Sequence, residues 1–104
     1  MPLKIDLHVH IVGNGAGGSG CCYRPRGWTK WAEPLMLRNF GLPARALRED
    51  LDALYAERLL AFVRDSSIDA AVLLAQDEPH DCEGRRLEGV GSFYVPNEYV
   101  LRLA

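Results

Sequence analysis

The chain has 104 residues and a formal charge of −2, from 12 Lys or Arg and 14 Asp or Glu, and 48% of it is hydrophobic. This composition is typical of an ordinary globular domain. No apolar run approaches the roughly 20 residues of a membrane span, and the N-terminus lacks the basic, apolar and small-residue order of a signal peptide. The three cysteines form no CxxC pair, which argues against a disulfide or zinc-finger framework. We therefore expect a cytoplasmic protein with no membrane partner.

Charge is unevenly distributed along the chain, since residues 1–48 carry +5 and residues 49–104 carry −7. The cations of the first half are scattered among Gly, Trp and Pro rather than gathered on one periodic face. Nucleic-acid binding normally requires a clustered basic stripe. We therefore expect no nucleic-acid partner.

Residues 3–11 alternate strictly between apolar and polar side chains, and this period of two predicts a β-strand. The apolar residues occupy the odd positions, and the other side carries Lys4, Asp6, His8 and His10. Residues 12–43 have six Gly by position 27, three Pro and no sustained periodicity. They predict a long loop with a short helical turn near Trp31, and such a loop is too long to be a mere connection.

From residue 44 to residue 65, apolar positions recur at spacings of three and four, which predicts the strongest helix of the chain. The short apolar run 68–75 follows and predicts a strand covered on both faces, as in parallel sheets. Residues 76–95 predict a second long loop, and Pro96 is well placed to begin a helix from 96. This order predicts an α/β fold whose two long strand-to-helix loops lie on the side where such folds place active sites.

His8 and His10 are two residues apart on the first strand, so we expect both imidazoles on one face, separated by about 6.6 Å of strand rise. That spacing lets two nitrogens reach one metal ion at about 2.0–2.1 Å. Asp6 shares the face and would either orient an imidazole by a hydrogen bond or line the floor beneath it. A solvated strand face is the alternative, but a strand in a buried parallel sheet has no bulk water for four polar side chains. The pattern therefore predicts a metal site at His8 and His10.

The segment Ile5 to His10, IDLHVH, resembles the opening strand of the amidohydrolase superfamily of metal-dependent hydrolases. The likeness continues through the loop and helix to SIDAAVLLA at 67–75 and FYVPNE at 93–98, although only the HxH motif is a functional signature. The resemblance implies that residues 1–104 are one N-terminal segment of a (β/α)₈ TIM barrel. It also implies that His8 and His10 bind a catalytic divalent metal, usually zinc.

The chain departs from this family in its length. A closed barrel typically takes about 250 residues, and the family draws further ligands and a catalytic aspartate from later strands. The catalytic residues are therefore unknown here and expected on those strands, for which about 150 residues downstream of Ala104 would be needed. Catalytic zinc commonly has three protein ligands. His80, in the second loop, is one candidate for the third, although a histidine in a loop is more often merely solvated.

The implied activity of the full-length parent is hydrolysis of a C–N or C–O bond in a small amide, lactone or ester by a metal-activated water. A metal-dependent decarboxylase of the same superfamily is one alternative. Another is a non-catalytic fragment or a binding or assembly module, which would form a homo-oligomer through uncovered strand edges and apolar faces. PHP-type phosphoesterases also open on an Asp-x-His-x-His strand, but no Ser or Thr follows His10.

The first loop contains weaker candidates. Gly13 to Gly18 match GxGxxG, but no helix or second strand follows in the spacing that a dinucleotide requires, so we expect no organic cofactor. Cys21 and Cys22 lack the activating surroundings of a nucleophile. Substrate lining is a weak hypothesis for three residues, Trp28, Trp31 and Arg24. For the two tryptophans, a small core within the loop is the favoured alternative.

Overall fold

The computed structural model describes residues 2–104, which form a small mixed α/β domain. The four strands in this range are β1 (Ile5–His10), β2 (Cys22–Arg24), β3 (Ala70–Leu74) and β4 (Ser92–Tyr94). The three α-helices are α1 (Thr29–Asn39), α2 (Leu51–Asp65) and α3 (Asn97–Leu103), and Ala44–Arg48 form a 3-10 helix. Within the described range, every helix is too short or too polar to cross a bilayer.

The strands form two separate two-stranded sheets. β1 pairs with β3 in parallel, which confirms the predicted parallel arrangement, and β2 pairs with β4 antiparallel. α2 provides the crossover from β1 to β3, and its Tyr55 and Leu59 pack with Leu73 against a buried cluster. The members of that cluster are Ile11, Cys21, Val95 and Tyr99. A second cluster joins the first loop to α2 through Val12, Leu37, Ala46 and Leu51.

The helix predicted over 44–65 is divided in two. Its first turn is the 3-10 helix, and α2 begins only at Leu51. Glu49 is extended, and the Asp50 carboxylate accepts a hydrogen bond from the Ala53 N–H at 3.0 Å, so Asp50 caps the new helix. The apolar spacing continued across this break because both helical segments bury side chains in the same cluster.

The two predicted loops are more ordered than the sequence indicated. Residues 12–43 contain β2 and the 11-residue helix α1, and residues 76–95 contain β4. The predicted helical turn near Trp31 is part of α1, whose length was underestimated because it has Pro34 in its interior and no side-chain cap at its start. Burial of Leu37 stabilises it nonetheless, since tertiary packing overrides weak local propensity. Through the β2–β4 pairing the two long connections meet in space.

The prediction that β3 is covered on both faces is wrong. Only one face of the β1–β3 sheet packs on the helices, and the other is exposed. On β1 and the residues before it, Leu3 is 75% exposed, Ile5 48% and Leu7 70%, and Val72 of β3 is exposed as well. The described residues therefore leave an apolar sheet surface in contact with solvent.

Candidate functional site

A β-bulge lies inside the HxH strand. Asp6 pairs with Ala71 but Val9 pairs with Leu73, so three steps along β1 match two steps along β3. The extra residue shifts all later side chains of β1 to the opposite face, because side chains alternate with a period of two. The strict alternation predicted over 3–11 is thus broken between Asp6 and Val9.

The bulge decides which face carries the histidines. His10 pairs with Leu74, and Ile5 pairs with Ala70. Ala70 and Leu74 are four residues apart on β3, so their side chains share one face. Paired residues of parallel strands project to the same face, so His10 lies on the exposed face with Ile5. Val9 pairs with Leu73 and faces the helices instead. The predicted polar face with Lys4 and Asp6 beside His10 is therefore not formed.

The two imidazoles meet on this exposed face. The His8 and His10 ring centroids lie 4.7 Å apart with the planes inclined by 73°, and the two Nε2 atoms are 2.9 Å apart. When one ring carries its proton on Nε2, this contact is a hydrogen bond from that Nε2–H to the other Nε2. The structure thus brings together the pair that the motif predicted, at the C-terminal end of β1.

The same separation suits two ligands of one metal ion. Two nitrogens each about 2.05 Å from a metal are about 2.9 Å apart at a 90° angle and about 3.3 Å apart at a tetrahedral angle. The observed 2.9 Å lies at the lower of these values. Among residues 2–104, however, no group of three or more His, Cys, Asp or Glu side chains is placed to hold a metal. The pair by itself offers two nitrogens, fewer than the three protein ligands that catalytic zinc commonly has.

Asp6 and Tyr55 hold the backbone on either side of the pair. The Asp6 carboxylate accepts a hydrogen bond from the His8 backbone N–H at 3.0 Å, and so it orients the bulge rather than an imidazole ring. The Tyr55 hydroxyl, from α2, donates to the His10 carbonyl oxygen at 3.2 Å. Burial raises the pKa of Tyr55 above its usual value. Tyr55 was not singled out in the sequence, because a tyrosine at helical spacing looks like an ordinary core residue.

His80 does not join the pair. Its Nδ1–H donates to the Glu78 carbonyl oxygen at 2.6 Å, and its backbone pairs with Arg86 within the second connection. The ring is exposed. His80 is therefore not assembled into a metal site by the described residues, in line with the solvated interpretation.

The glycine-rich segment 13–20 folds around a buried carboxylate. Asp52 is only 4% exposed, and its carboxylate accepts hydrogen bonds from the Ser19 hydroxyl at 2.5 Å and from the Gly15 N–H at 3.4 Å. The Asn14 side chain donates to the Glu49 carbonyl oxygen at 2.8 Å. The GxGxxG segment thus packs its polar groups against the start of α2, around a negative charge that repels phosphate.

Trp28 and Trp31 do not form the small loop core that we favoured, because they are 76% and 88% exposed. Trp28 lines an apolar cavity between α1 and β4, and Trp31 lies outside that cavity. Arg24 forms a salt bridge to Glu78 at 2.7 Å and lines a second cavity. These cavities are separate from the imidazole pair, since neither histidine lines them.

The cysteines differ in their surroundings. Cys21 is buried, and desolvation raises the pKa of its thiol, which opposes formation of the nucleophilic thiolate. Cys22 is half-buried and Cys82 is exposed. The structure gives Cys21 a packing role in the cluster with Ile11 and Val95.

No family model, curated protein or solved structure matches this chain. The chemistry assigned to His8 and His10 therefore rests on their own geometry. Its central observation is that two imidazole nitrogens converge at 2.9 Å on an exposed strand end, beside a bulge held by Asp6.

Proposed function

We propose that His8 and His10 are two ligands of a divalent metal, with zinc as the first choice, in a metal-dependent hydrolase of the amidohydrolase type. The observation that carries this proposal is the 2.9 Å separation of their Nε2 atoms. The two Nε2 atoms can share one proton as a hydrogen bond, and a divalent ion can take the place of that proton between them. Convergence at the separation of adjacent metal ligands favours a shared ion.

The residues present fit such an ion as part of its ligand set. His8 and His10 would bind it through Nε2, and Asp6 would keep the bulge that aims His8. Tyr55 would keep the strand end that carries His10. When bound, the metal would supply a water of lowered pKa and a Lewis acid for the substrate carbonyl. Because catalytic zinc commonly takes three protein ligands, at least one further ligand would come from outside the described residues.

The arrangement of the fold supports an incomplete TIM barrel. In such a barrel the helices form an outer ring and the opposite strand faces line the interior. Here α2 and α3 pack on one face of the β1–β3 sheet, and the histidine pair lies on the other. The exposed Ile5, Leu7 and Val72 would then be interior residues that further barrel strands cover.

The reaction we propose is hydrolysis of a C–N or C–O bond in a small amide, lactone or ester by the full-length parent. The pair lies at the C-terminal end of β1, the end at which TIM-barrel enzymes bind substrate. A cytoplasmic location is part of the same proposal, because the absence of a CxxC pair and the odd number of cysteines suit a reducing compartment.

A zinc titration of the 104-residue chain tests the metal site directly. We would follow the histidine ring signals by NMR and the heat by calorimetry, in a Cys82→Ser background because an exposed thiol binds zinc on its own. We expect binding tighter than about 1 mM and at least a 10-fold loss for His8→Ala or His10→Ala. Changing the hydrogen-bond partner of a metal ligand lowers metal affinity by about 10–100-fold. For a direct ligand we set the lower bound of the loss at only about 10-fold here, because this chain would hold only part of the ligand set.

His80→Ala is the matched control, since it removes an exposed histidine that lies outside the pair. It should leave zinc affinity unchanged. Affinity that is unaffected by His8→Ala and His10→Ala, or that falls as far with His80→Ala, would contradict the proposal. Asp6→Asn should cost less than either ligand change.

A second function, assembly of identical chains, is supported by the exposed apolar sheet face rather than by the histidines. Monomeric proteins rarely expose large contiguous apolar patches. We expect a homo-oligomer in sedimentation velocity that Leu7→Lys dissociates. Leu101→Lys is the control, because Leu101 is 74% exposed on α3 and Leu7 is 70% exposed. A monomer at all concentrations would exclude assembly.

A further inference from the structure

Two cavities flank the end of the β2–β4 ribbon. The first, here named the ring cavity, has a volume of about 200 Å³ and lies between α1 and the ribbon, with walls that include Tyr23, Trp28, Met36 and Phe93. The second, here named the arginine cavity, has a volume of about 250 Å³, and its charged lining is Arg24, Arg26, Arg86, Glu78 and Glu88. Ser92 lines both, so the two cavities adjoin at the start of β4.

The ring cavity suits an apolar ring. Tyr23 and Phe93 stack with centroids 4.6 Å apart. Two hydroxyls of its wall already have partners, since the Tyr23 hydroxyl donates to Glu33 at 2.6 Å and the Thr29 hydroxyl donates to the Arg26 carbonyl at 2.6 Å. A dry apolar cavity of about 150 Å³ holds a benzene molecule. A cavity of about 200 Å³ with these walls has room for one aromatic ring.

The arginine cavity carries an excess of positive charge, because three guanidinium groups face two carboxylates. Glu78 is shared, at 2.7 Å from Arg24 and 3.1 Å from Arg86. Within residues 2–104, the Arg26 guanidinium makes a single hydrogen bond, to the Pro25 carbonyl at 3.3 Å. An arginine has five N–H donors, so Arg26 and Arg24 retain donors for an anion.

We propose that the two cavities together bind a small aromatic carboxylate, with the ring beside Trp28 and the carboxylate on Arg26 and Arg24. The excess positive charge of the arginine cavity favours an anion, and the apolar walls of the adjoining ring cavity favour an aromatic ring. Arginine is suited to the carboxylate because its planar fork binds both oxygens. This inference does not rest on the metal proposed for His8 and His10, whose side chains line neither cavity.

The two tryptophans make the test direct. Only Trp28 lines the ring cavity, so the two indole N–H signals of one ¹H–¹⁵N NMR spectrum serve as reporter and internal control, assigned with Trp31→Phe. The probe is 3-phenylpropanoate, compared with the uncharged 3-phenylpropan-1-ol and with propanoate, all in the presence of a metal chelator. The chelator keeps the outcome independent of the proposed metal site.

We expect saturable movement of the Trp28 signal with a dissociation constant of about 1 mM, typical of a ligand of this size. The Trp31 signal should not move. Arg26→Gln should weaken binding of the carboxylate by about 10-fold, the effect of losing one charge-assisted hydrogen bond. The same change should leave the weaker binding of the alcohol unaltered.

Arg38→Gln is the matched control, since Arg38 is an exposed arginine of α1 that lines neither cavity. It should leave the dissociation constant unchanged. The proposal would be overturned if the Trp28 signal did not respond to 3-phenylpropanoate at concentrations up to 20-fold above the expected dissociation constant of about 1 mM. So would equal affinity for the acid and the alcohol, or an acid affinity that Arg26→Gln does not change.

Discussion

Gly13 occupies a position where the fold has no room for a side chain. It lies three residues after the end of β1 and is buried. A Cβ built on it would lie 1.7 Å from the Asp52 Oδ1 and 3.0 Å from the Cys21 Cβ. Asp52 is itself buried and bonded to the Ser19 hydroxyl. Gly13→Ala therefore displaces a buried carboxylate from its partner.

The expected loss of stability has two parts. Insertion of a methyl group into a packed site typically costs about 1–3 kcal/mol. Breaking the hydrogen bond from Ser19 to the Asp52 carboxylate costs about 1.5–3 kcal/mol more. We therefore expect Gly13→Ala to lower the free energy of unfolding by about 2.5–6 kcal/mol.

Gly18→Ala is the matched control in the same segment. Gly18 has a φ of +78° but open space around its Cβ position, so alanine there meets only backbone strain. We expect that strain to cost about 1–2 kcal/mol. Urea unfolding measures both variants.

A double-mutant cycle isolates the clash. In an Asp52→Ala background the displaced carboxylate is gone, so Gly13→Ala should cost less than about 1 kcal/mol, and the coupling energy should be large. Equal costs of Gly13→Ala with and without Asp52 would refute the reasoning. So would a cost for Gly13→Ala no greater than that of Gly18→Ala.

The remaining predictions concern tyrosines. Tyr55→Phe removes the hydrogen bond to His10 but keeps the ring against Phe40, so it should cost about 0.5–1.5 kcal/mol in urea unfolding. Tyr23→Phe removes a bond to the Glu33 carboxylate and should cost more, about 1.5–3 kcal/mol. Burial, reinforced by the charge of Asp52, raises the pKa of Tyr99 from 10.0 to about 12. The unfolded chain then loses this proton first, so the free energy of unfolding should fall as the pH rises from about 10 to about 12, and Tyr99→Phe should flatten that decline.

The parts of the fold with strong local signals were predictable. The apolar run 68–75 predicted β3, the parallel partner of β1. The apolar periodicity predicted α2, although the helix begins at Leu51 rather than at residue 44. That start had a visible signal, because Asp50 precedes the helix in the position of a cap. The broken first turn shows that periodicity alone does not separate a 3-10 helix from the α-helix that follows it.

The two long connections were harder because their order comes from contacts distant in sequence. β2 and β4 are three residues each and lie about seventy positions apart, so no local pattern announces their pairing. α1 did leave one signal at its end. Gly41 has a φ of +70°, and the Leu42 N–H donates to the Leu37 carbonyl at 2.9 Å, the closing pattern of a helix with a glycine after it.

His8 and His10 meet in the structure, but not through the strict alternation that predicted their shared face. Strict alternation would place both imidazoles on one face together with Asp6 and Lys4, and the bulge instead moves His10 to the face of Ile5. Alternation of residue types cannot reveal a bulge, because one extra residue moves the following side chains to the opposite face of the strand while the sequence pattern stays the same. Asp6 is the residue that could have indicated it, since an aspartate two residues before His8 accepts the backbone N–H that the bulge removes from the ladder. On this account Asp6 positions the histidine pair through the backbone. Asp6→Asn, which keeps an acceptor oxygen, should therefore preserve the convergence of the two rings, and Asp6→Ala should not.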